Sequence, residues 1–174
     1  NPDWTANGEN EYGQFGFSVS TAGDINNDNY DDILIGAPGD PNNGWGTGKV
    51  YLYLGSLNGP SAIADWSATG EGGFGYAVSS AGDVNNDSFD DILISSPDFS
   101  IGDLTGKVYL YLGSVSGLSS IPAWTCNSLG SGGNFGYSLS CAGDVNGDGY
   151  SDIVIGTNGN QNFNSHNVGA YVFC

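Results

Sequence analysis

Three short stretches concentrate the residues that could do chemistry. The first reads Asp24-Ile25-Asn26-Asn27-Asp28-Asn29-Tyr30-Asp31-Asp32 and places oxygen-bearing side chains at its positions 1, 3, 5 and 9. The second repeats the pattern with Asp83, Asn85, Asp87 and Asp91, and the third with Asp144, Asn146, Asp148 and Asp152. Alternating ligand and non-ligand residues lets a tight loop aim its oxygens at one centre, and Ca²⁺ takes six to eight hard oxygens at about 2.3–2.6 Å. A backbone carbonyl from position 7 would join them, which leaves the side chains there, Tyr30, Phe89 and Tyr150, free to pack elsewhere. The expectation is three Ca²⁺ sites per chain. Mg²⁺ suits such loops less well, because it demands near-ideal octahedra and keeps its waters.

These are not EF-hands. An EF-hand needs a bidentate Glu at position 12, and here that position holds Ile35, Ile94 and Ile155 inside apolar runs. The sharp turn at position 6 is met by Gly149 and Asn29, both of which reach left-handed geometry cheaply, while Ser88 fits it less well. Position 8, occupied by Asp31, Asp90 and Ser151, is expected to point away from the centre. Three carboxylates per site without a bidentate Glu place the affinity in the weak range of about 10⁻⁴–10⁻³ M, filled only where calcium is abundant. That argues for an extracellular, secreted or cell-surface protein, and it permits a disulfide among Cys126, Cys141 and Cys174, whose odd number leaves one over.

Charge supports the same reading. The formal net charge is −17, with only Lys49 and Lys107 as cations, and eleven of the nineteen acidic residues fall in the three loops. Such clusters repel themselves unless a cation joins them, and the overall field turns away nucleic acid and anionic membrane surfaces. The chain has no apolar run long enough for membrane insertion and no n-region followed by an apolar segment.

The elements that must carry the loops come from a repeat of about sixty residues written three times. Phe15-Gly16-Phe17, Phe74-Gly75-Tyr76 and Phe135-Gly136-Tyr137 begin corresponding strands, each followed by Ala-Gly-Asp and the acidic loop. An apolar run comes next (Ile33-Leu34-Ile35, Ile92-Leu93-Ile94, Ile153-Val154-Ile155). A third strand follows through Val50-Tyr51-Leu52, Val108-Tyr109-Leu110 and a weaker Gly169-Ala170-Tyr171-Val172-Phe173. A Trp-led segment opens each unit at Trp4, Trp66 and Trp124, giving units at 4–65, 66–123 and 124–174 with four short strands each. Strands apolar on both faces must be covered on both sides, which a sheet stacked between copies of itself achieves. The fold class is therefore all-β, with three four-stranded propeller blades in one partial propeller domain. The Trp and Phe-Gly aromatics are expected to be blade-to-blade packing.

Together, Phe-Gly, the Asp-rich loop and Gly36-Ala37-Pro38, with its degraded copies Ser95-Ser96-Pro97 and Gly156-Thr157-Asn158, resemble FG-GAP repeats. This is the blade type of integrin alpha-subunit heads, and the resemblance covers essentially the whole chain. It implies extracellular adhesion and Ca²⁺ in the blade loops; fungal lectins with similar repeats add a sugar-binding possibility.

Propellers close with about four to eight blades, so three leave open edges. In this type of fold the Trp4 segment resembles the outer strand of a preceding blade, and the last unit lacks its own. An outer strand supplied by another chain or segment, in a homo-oligomeric ring or a head-to-tail filament, is the expected partnership; a fragment of a larger adhesion protein is the other reading. A glycan or protein ligand would sit on the loops that vary between copies, 40–47, 98–105 and 158–167. No enzyme is expected: the single His166 lies in a Gly/Asn-rich loop, and no nucleophile and base recur together.

Overall fold

The computed structural model of the chain describes residues 1–39, 46–97, 106–128, 134–158 and 169–174. Among the described residues, eleven strands make three antiparallel sheets. The first orders β1 (Ser18–Gly23), β2 (Asp32–Ala37), β3 (Gly48–Tyr53) and β4 (Trp66–Gly70) as neighbours, and the second does the same with β5 (Val78–Gly82), β6 (Asp91–Ser96), β7 (Lys107–Tyr111) and β8 (Trp124–Asn127). The third has three strands, β9 (Phe135–Gly143), β10 (Asp152–Thr157) and β11 (Gly169–Phe173). The all-β blade architecture stands, and among the described residues the third sheet has no outer strand like β4 and β8.

The Trp-led segments close blades rather than open them. Trp66 pairs with Leu52 and Trp124 with Leu110, so β4 and β8 are the outermost strands of the blades that precede them in sequence. Each indole then reaches over the next blade. Trp66 packs edge-on against Tyr111 at 5.2 Å and its Nε1 donates to the Ser119 carbonyl. Trp4, outside any strand, does the same to the first blade, with Tyr53 at 5.0 Å and the Ser61 carbonyl as acceptor. Repeat units counted from Trp are thus staggered by one strand against the sheets.

The core lies between blades, where the two-sided hydrophobicity of the strands requires it. Ile25, Leu34, Leu52, Phe74 and Ile94 fill the gap between the first and second blades; Leu93, Val108, Phe135 and Ile155 fill the gap between the second and third. Phe74 and Phe135, the Phe of Phe-Gly, are fully buried there, each edge-on to a β-strand tyrosine. The aromatic two residues later forms a ladder from blade to blade, Phe17 to Tyr76 at 5.0 Å and Tyr76 to Tyr137 at 5.4 Å. Both sets are packing elements.

Candidate metal centres in the hairpin loops

Each acidic loop leaves its first strand through a β-bulge. Thr21 pairs with Ile33 and Gly23 with Asp32, so one extra residue, the buried Ala22, is inserted at the loop entry. The second and third blades carry the same irregularity before Asp91 and Asp152. Bulges of this kind bend the strand and redirect the residues beyond the bend. A side chain braces the bend in every copy: the Gly23, Gly82 and Gly143 amides donate to Thr21 Oγ1, Ser80 Oγ and Cys141 Sγ at 3.1, 3.1 and 3.3 Å. Cys141 is therefore a hydrogen-bond acceptor in a structural position. All three cysteines are free, so the disulfide allowed for in the sequence is not formed in this structure. Burial pushes the Cys126 thiol upward from its ordinary value.

Within the loops the same contacts recur. Asp24 accepts the amides of Asp28 and Asn29 at 2.9 and 2.8 Å, and Asp28 accepts the Tyr30 amide at 3.0 Å; Asn26 donates through Nδ2 to Asp28 at 3.0 Å. Asp83, Asn85 and Asp87 repeat this pattern against Asp87, Ser88 and Phe89, as do Asp144, Asn146 and Asp148 against Asp148, Gly149 and Tyr150. The turn needs left-handed backbone twice. Position 6 has φ of 71°, 74° and 90° at Asn29, Ser88 and Gly149, and position 4, which the residue types did not flag, has 57°, 59° and 79° at Asn27, Asn86 and Gly147. Ser88 adopts the required conformation.

Position 9 differs from the rest. Asp32, Asp91 and Asp152 are 0, 0 and 1 % exposed, whereas the side chains at positions 1, 3 and 5 are half-buried or exposed. Asp32 accepts the amides of Ile25 and Gly55 at 2.9 and 2.8 Å, and Asp91 those of Val84 and Gly113 at the same distances; Asp152 accepts Val145 at 2.8 Å. In the first two blades one carboxylate thus ties the loop entry to the end of the third strand. Burial raises the Asp91 carboxyl to about 6, against the lowering pull of the two amides, and the neighbouring Asp87 and Asp83 raise it further. Asp32 is raised for the same first reason. Asp144, fully in solvent, is lowered, above all by the Gly149 amide.

The fifteen positions read from the sequence therefore lie in three equivalent loops: Asp24, Asn26, Asp28, Tyr30 and Asp32; Asp83, Asn85, Asp87, Phe89 and Asp91; Asp144, Asn146, Asp148, Tyr150 and Asp152. Among the described residues no three acidic, His or Cys side chains gather around one point at metal-binding distance. The carboxylates are turned to the loop's own amides, each with lone pairs to spare. The donor set is still hard oxygen throughout, and a buried carboxylate beneath like charges is a place where a cation is favoured.

Position 8 has a role that the sequence did not disclose. Asp90 Oδ2 accepts the Asp24 amide at 2.8 Å and the Asp90 amide donates back to the Asp24 carbonyl at 3.1 Å, linking the second loop to the first. The Ser151 amide donates likewise to the Asp83 carbonyl at 3.0 Å. Gly23, at φ 79°, makes room: a Cβ there would fall 2.1 Å from Asp90 Oδ2. The partner lies 66 residues away, so no local pattern signals it.

The variable loops expected to hold a ligand fall almost wholly outside the described residues (40–45, 98–105 and 159–167), as does His166. What is described includes a cleft of about 380 Å³ between the second and third blades, lined by Leu110, Trp124, Ile153, Phe173 and Cys174 among others.

Antiparallel blades of four, four and three described strands, stacked face to face and each with an Asp-rich hairpin between its first two strands, define a β-propeller segment. The FG-GAP repeat family matches at residues 15–53, 74–111 and 135–173, and the chain belongs to it. Integrin alpha-8 and integrin alpha-V of Gallus gallus are each 35 % identical over 87 % of this chain, and integrin alpha-6 of Homo sapiens is 33 % identical over 90 %. The chain spans only 14 to 16 % of the length of these curated relatives.

Proposed function

We propose that the chain is an extracellular adhesive propeller segment whose three hairpin loops bind Ca²⁺, and that it has no catalytic role. The observation that carries the calcium reading is the buried position-9 carboxylate, repeated in Asp32, Asp91 and Asp152 beneath three further oxygen-bearing side chains. A bound Ca²⁺ would neutralise that charge and draw Asp24, Asn26, Asp28 and the Tyr30 carbonyl, with their counterparts, onto one centre. The benefit is structural, since the loop joins the first two strands of its blade and, in the first two blades, position 9 also holds the third. Adhesion and cell-surface location rest on the integrin alpha-subunits to which the chain is similar. A glycan or protein ligand belongs, on this proposal, to the loops that vary between copies.

Thermal unfolding with calcium and with chelator tests the metal reading. Millimolar Ca²⁺ should raise the melting temperature by several degrees, Mg²⁺ should do far less, and Tb³⁺ should luminesce through Tyr30 and Tyr150 at position 7. A melting curve unmoved by about 10 mM Ca²⁺, above the weakest affinity class for such loops, rules calcium out.

A further inference from the structure

Hydrogen bonds run from the second acidic loop into the first by two routes, and both routes end on side chains of the candidate metal sets. The first passes through position 8. Asp90 Oδ2 accepts the Asp24 amide at 2.8 Å and the Asp90 amide donates to the Asp24 carbonyl at 3.1 Å. Both backbone groups of position 1 in the first loop are thus held by the residue next to Asp91.

The second route passes through Ile25, wholly buried at position 2. Its amide donates to Asp32 Oδ2 at 2.9 Å and its carbonyl accepts the Ser114 amide at 3.1 Å, while the adjacent Gly113 amide donates to Asp91 Oδ1 at 2.8 Å. Asp32 and Asp91, buried position-9 carboxylates of two different blades, are thereby joined through Ile25 and the Gly113-Ser114 backbone. The crossing has no slack. A Cβ on Gly113 would fall 2.3 Å from the Asp90 carbonyl oxygen and 2.8 Å from that of Ile25.

An ion that draws Asp83, Asn85, Asp87 and Asp91 onto one centre fixes the backbone at 90 and 91, and through it the entry of the first loop. That loop then loses less conformational freedom when it binds its own ion, which is a positive coupling. We propose that the first and second loops bind Ca²⁺ cooperatively, with Asp90 as the positioning residue that couples them. The proposal rests on the calcium reading. Asp90 acts without being a ligand, since its carboxylate is spent on the Asp24 amide. The second and third loops repeat the backbone half of the first route, with the Ser151 amide on the Asp83 carbonyl at 3.0 Å, but set a hydroxyl against Gly82 where Asp90 sets a carboxylate against Gly23. Their coupling is accordingly weaker.

A Ca²⁺ titration of the full chain, followed by NMR of its backbone amides, tests this. The position-6 amides of Asn29, Ser88 and Gly149 donate to the position-1 carboxylates of their own loops at 2.8, 2.7 and 2.9 Å, so each reports the filling of one site. Asp87→Ala, which removes an exposed oxygen of the second loop, should weaken the first site at least about fivefold, and Asp28→Ala should weaken the second by the same factor. Asp90→Ala should weaken the first site and abolish its response to Asp87→Ala, whereas Asp90→Asn, which keeps an acceptor oxygen, should preserve that response. Ser151→Asp should raise the coupling of the second and third loops toward that of the first pair.

A first site indifferent to Asp87→Ala while all three amides still report filling in the parent chain overturns the coupling and leaves the calcium reading standing. A response undiminished by Asp90→Ala overturns the role of Asp90. Position-6 amides unmoved at about 10 mM Ca²⁺ overturn the calcium reading and the coupling together. Strand amides in the same spectra report the fold of each variant, and Asp90→Asn and Ser151→Asp keep the test decisive where Asp90→Ala lowers stability.

Discussion

Asp91 does two jobs that a single substitution can separate. Its carboxylate satisfies the Val84 and Gly113 amides in a fully buried place, and it is also a proposed ligand. Asp91→Ala should cost about 1–3 kcal/mol even in chelator, since two buried donors lose their acceptor, and should remove the calcium increment of the second site. Asp83→Ala, which alters a more exposed carboxylate, should lose that increment with a smaller loss in chelator. Paired unfolding curves for both variants distinguish the roles. The metal-free chain should also respond to pH in an unusual sense. Because burial raises Asp91 to about 6 from 3.8, the folded state favours its neutral form. That contribution is complete below about 3.8 and is lost as pH rises through about 6, so in chelator the melting temperature should be higher at pH 5 than at pH 7. Asp144 works in the opposite sense, but its carboxyl lies below its ordinary value and it therefore acts only at lower pH. Calcium should reverse the trend, because protons compete with it for the same oxygens. A chelated protein that melts lower at pH 5 than at pH 7 would contradict this account.

At the scale of elements, the blades are joined by one large aromatic and one hydrogen-bonded hook. Phe74 lies wholly between the first two blades, and Phe74→Ala should cost about 3–5 kcal/mol by emptying that space, with the second interface left intact. The hook is finer. Asp90→Ala removes the acceptor of the Asp24 amide at a part-buried site, which should cost about 1–2 kcal/mol and show as faster hydrogen exchange at Asp24 while strand amides within each blade keep their protection. Uniformly faster exchange across both blades would instead make Asp90 a general stabiliser. The Trp strands belong to this scale too. Each is covalently part of one repeat, hydrogen-bonded into the preceding sheet and packed by its indole on the next one, so it binds neighbouring blades together.

For the molecule as a whole, charge and topology set the behaviour. A net charge of −17 with two lysines works against compactness, and three bound Ca²⁺ would offset six of those charges. Stabilisation by calcium should therefore shrink, though not vanish, as NaCl is raised, because salt screens the general repulsion and leaves the local sites. Melting temperatures across a calcium titration at low and high NaCl measure the split; identical increments at both would confine the effect to the loops. Lys49 is already engaged, held at 2.7 Å by Glu9 and set over the Tyr51 ring, so it does little to relieve the acidic loops.

What the residues alone determined is what is repeated and local. Threefold recurrence of Phe-Gly, the spaced Asp loop and the apolar run established blades, their strand order and the three candidate centres, because alternation and turn chemistry act over a few residues. Tertiary structure decided the rest. Residue order places the Trp segments at the start of each unit; the resemblance implied that such a segment is the outer strand of the preceding blade, and the pairing of Trp66 with Leu52 shows it for β4. Position 8 read as idle because its partner lies in another blade. Asp32, Asp91 and Asp152 share a residue type with the more exposed carboxylates beside them, and burial, a property of the packed sheets, is what sets them apart.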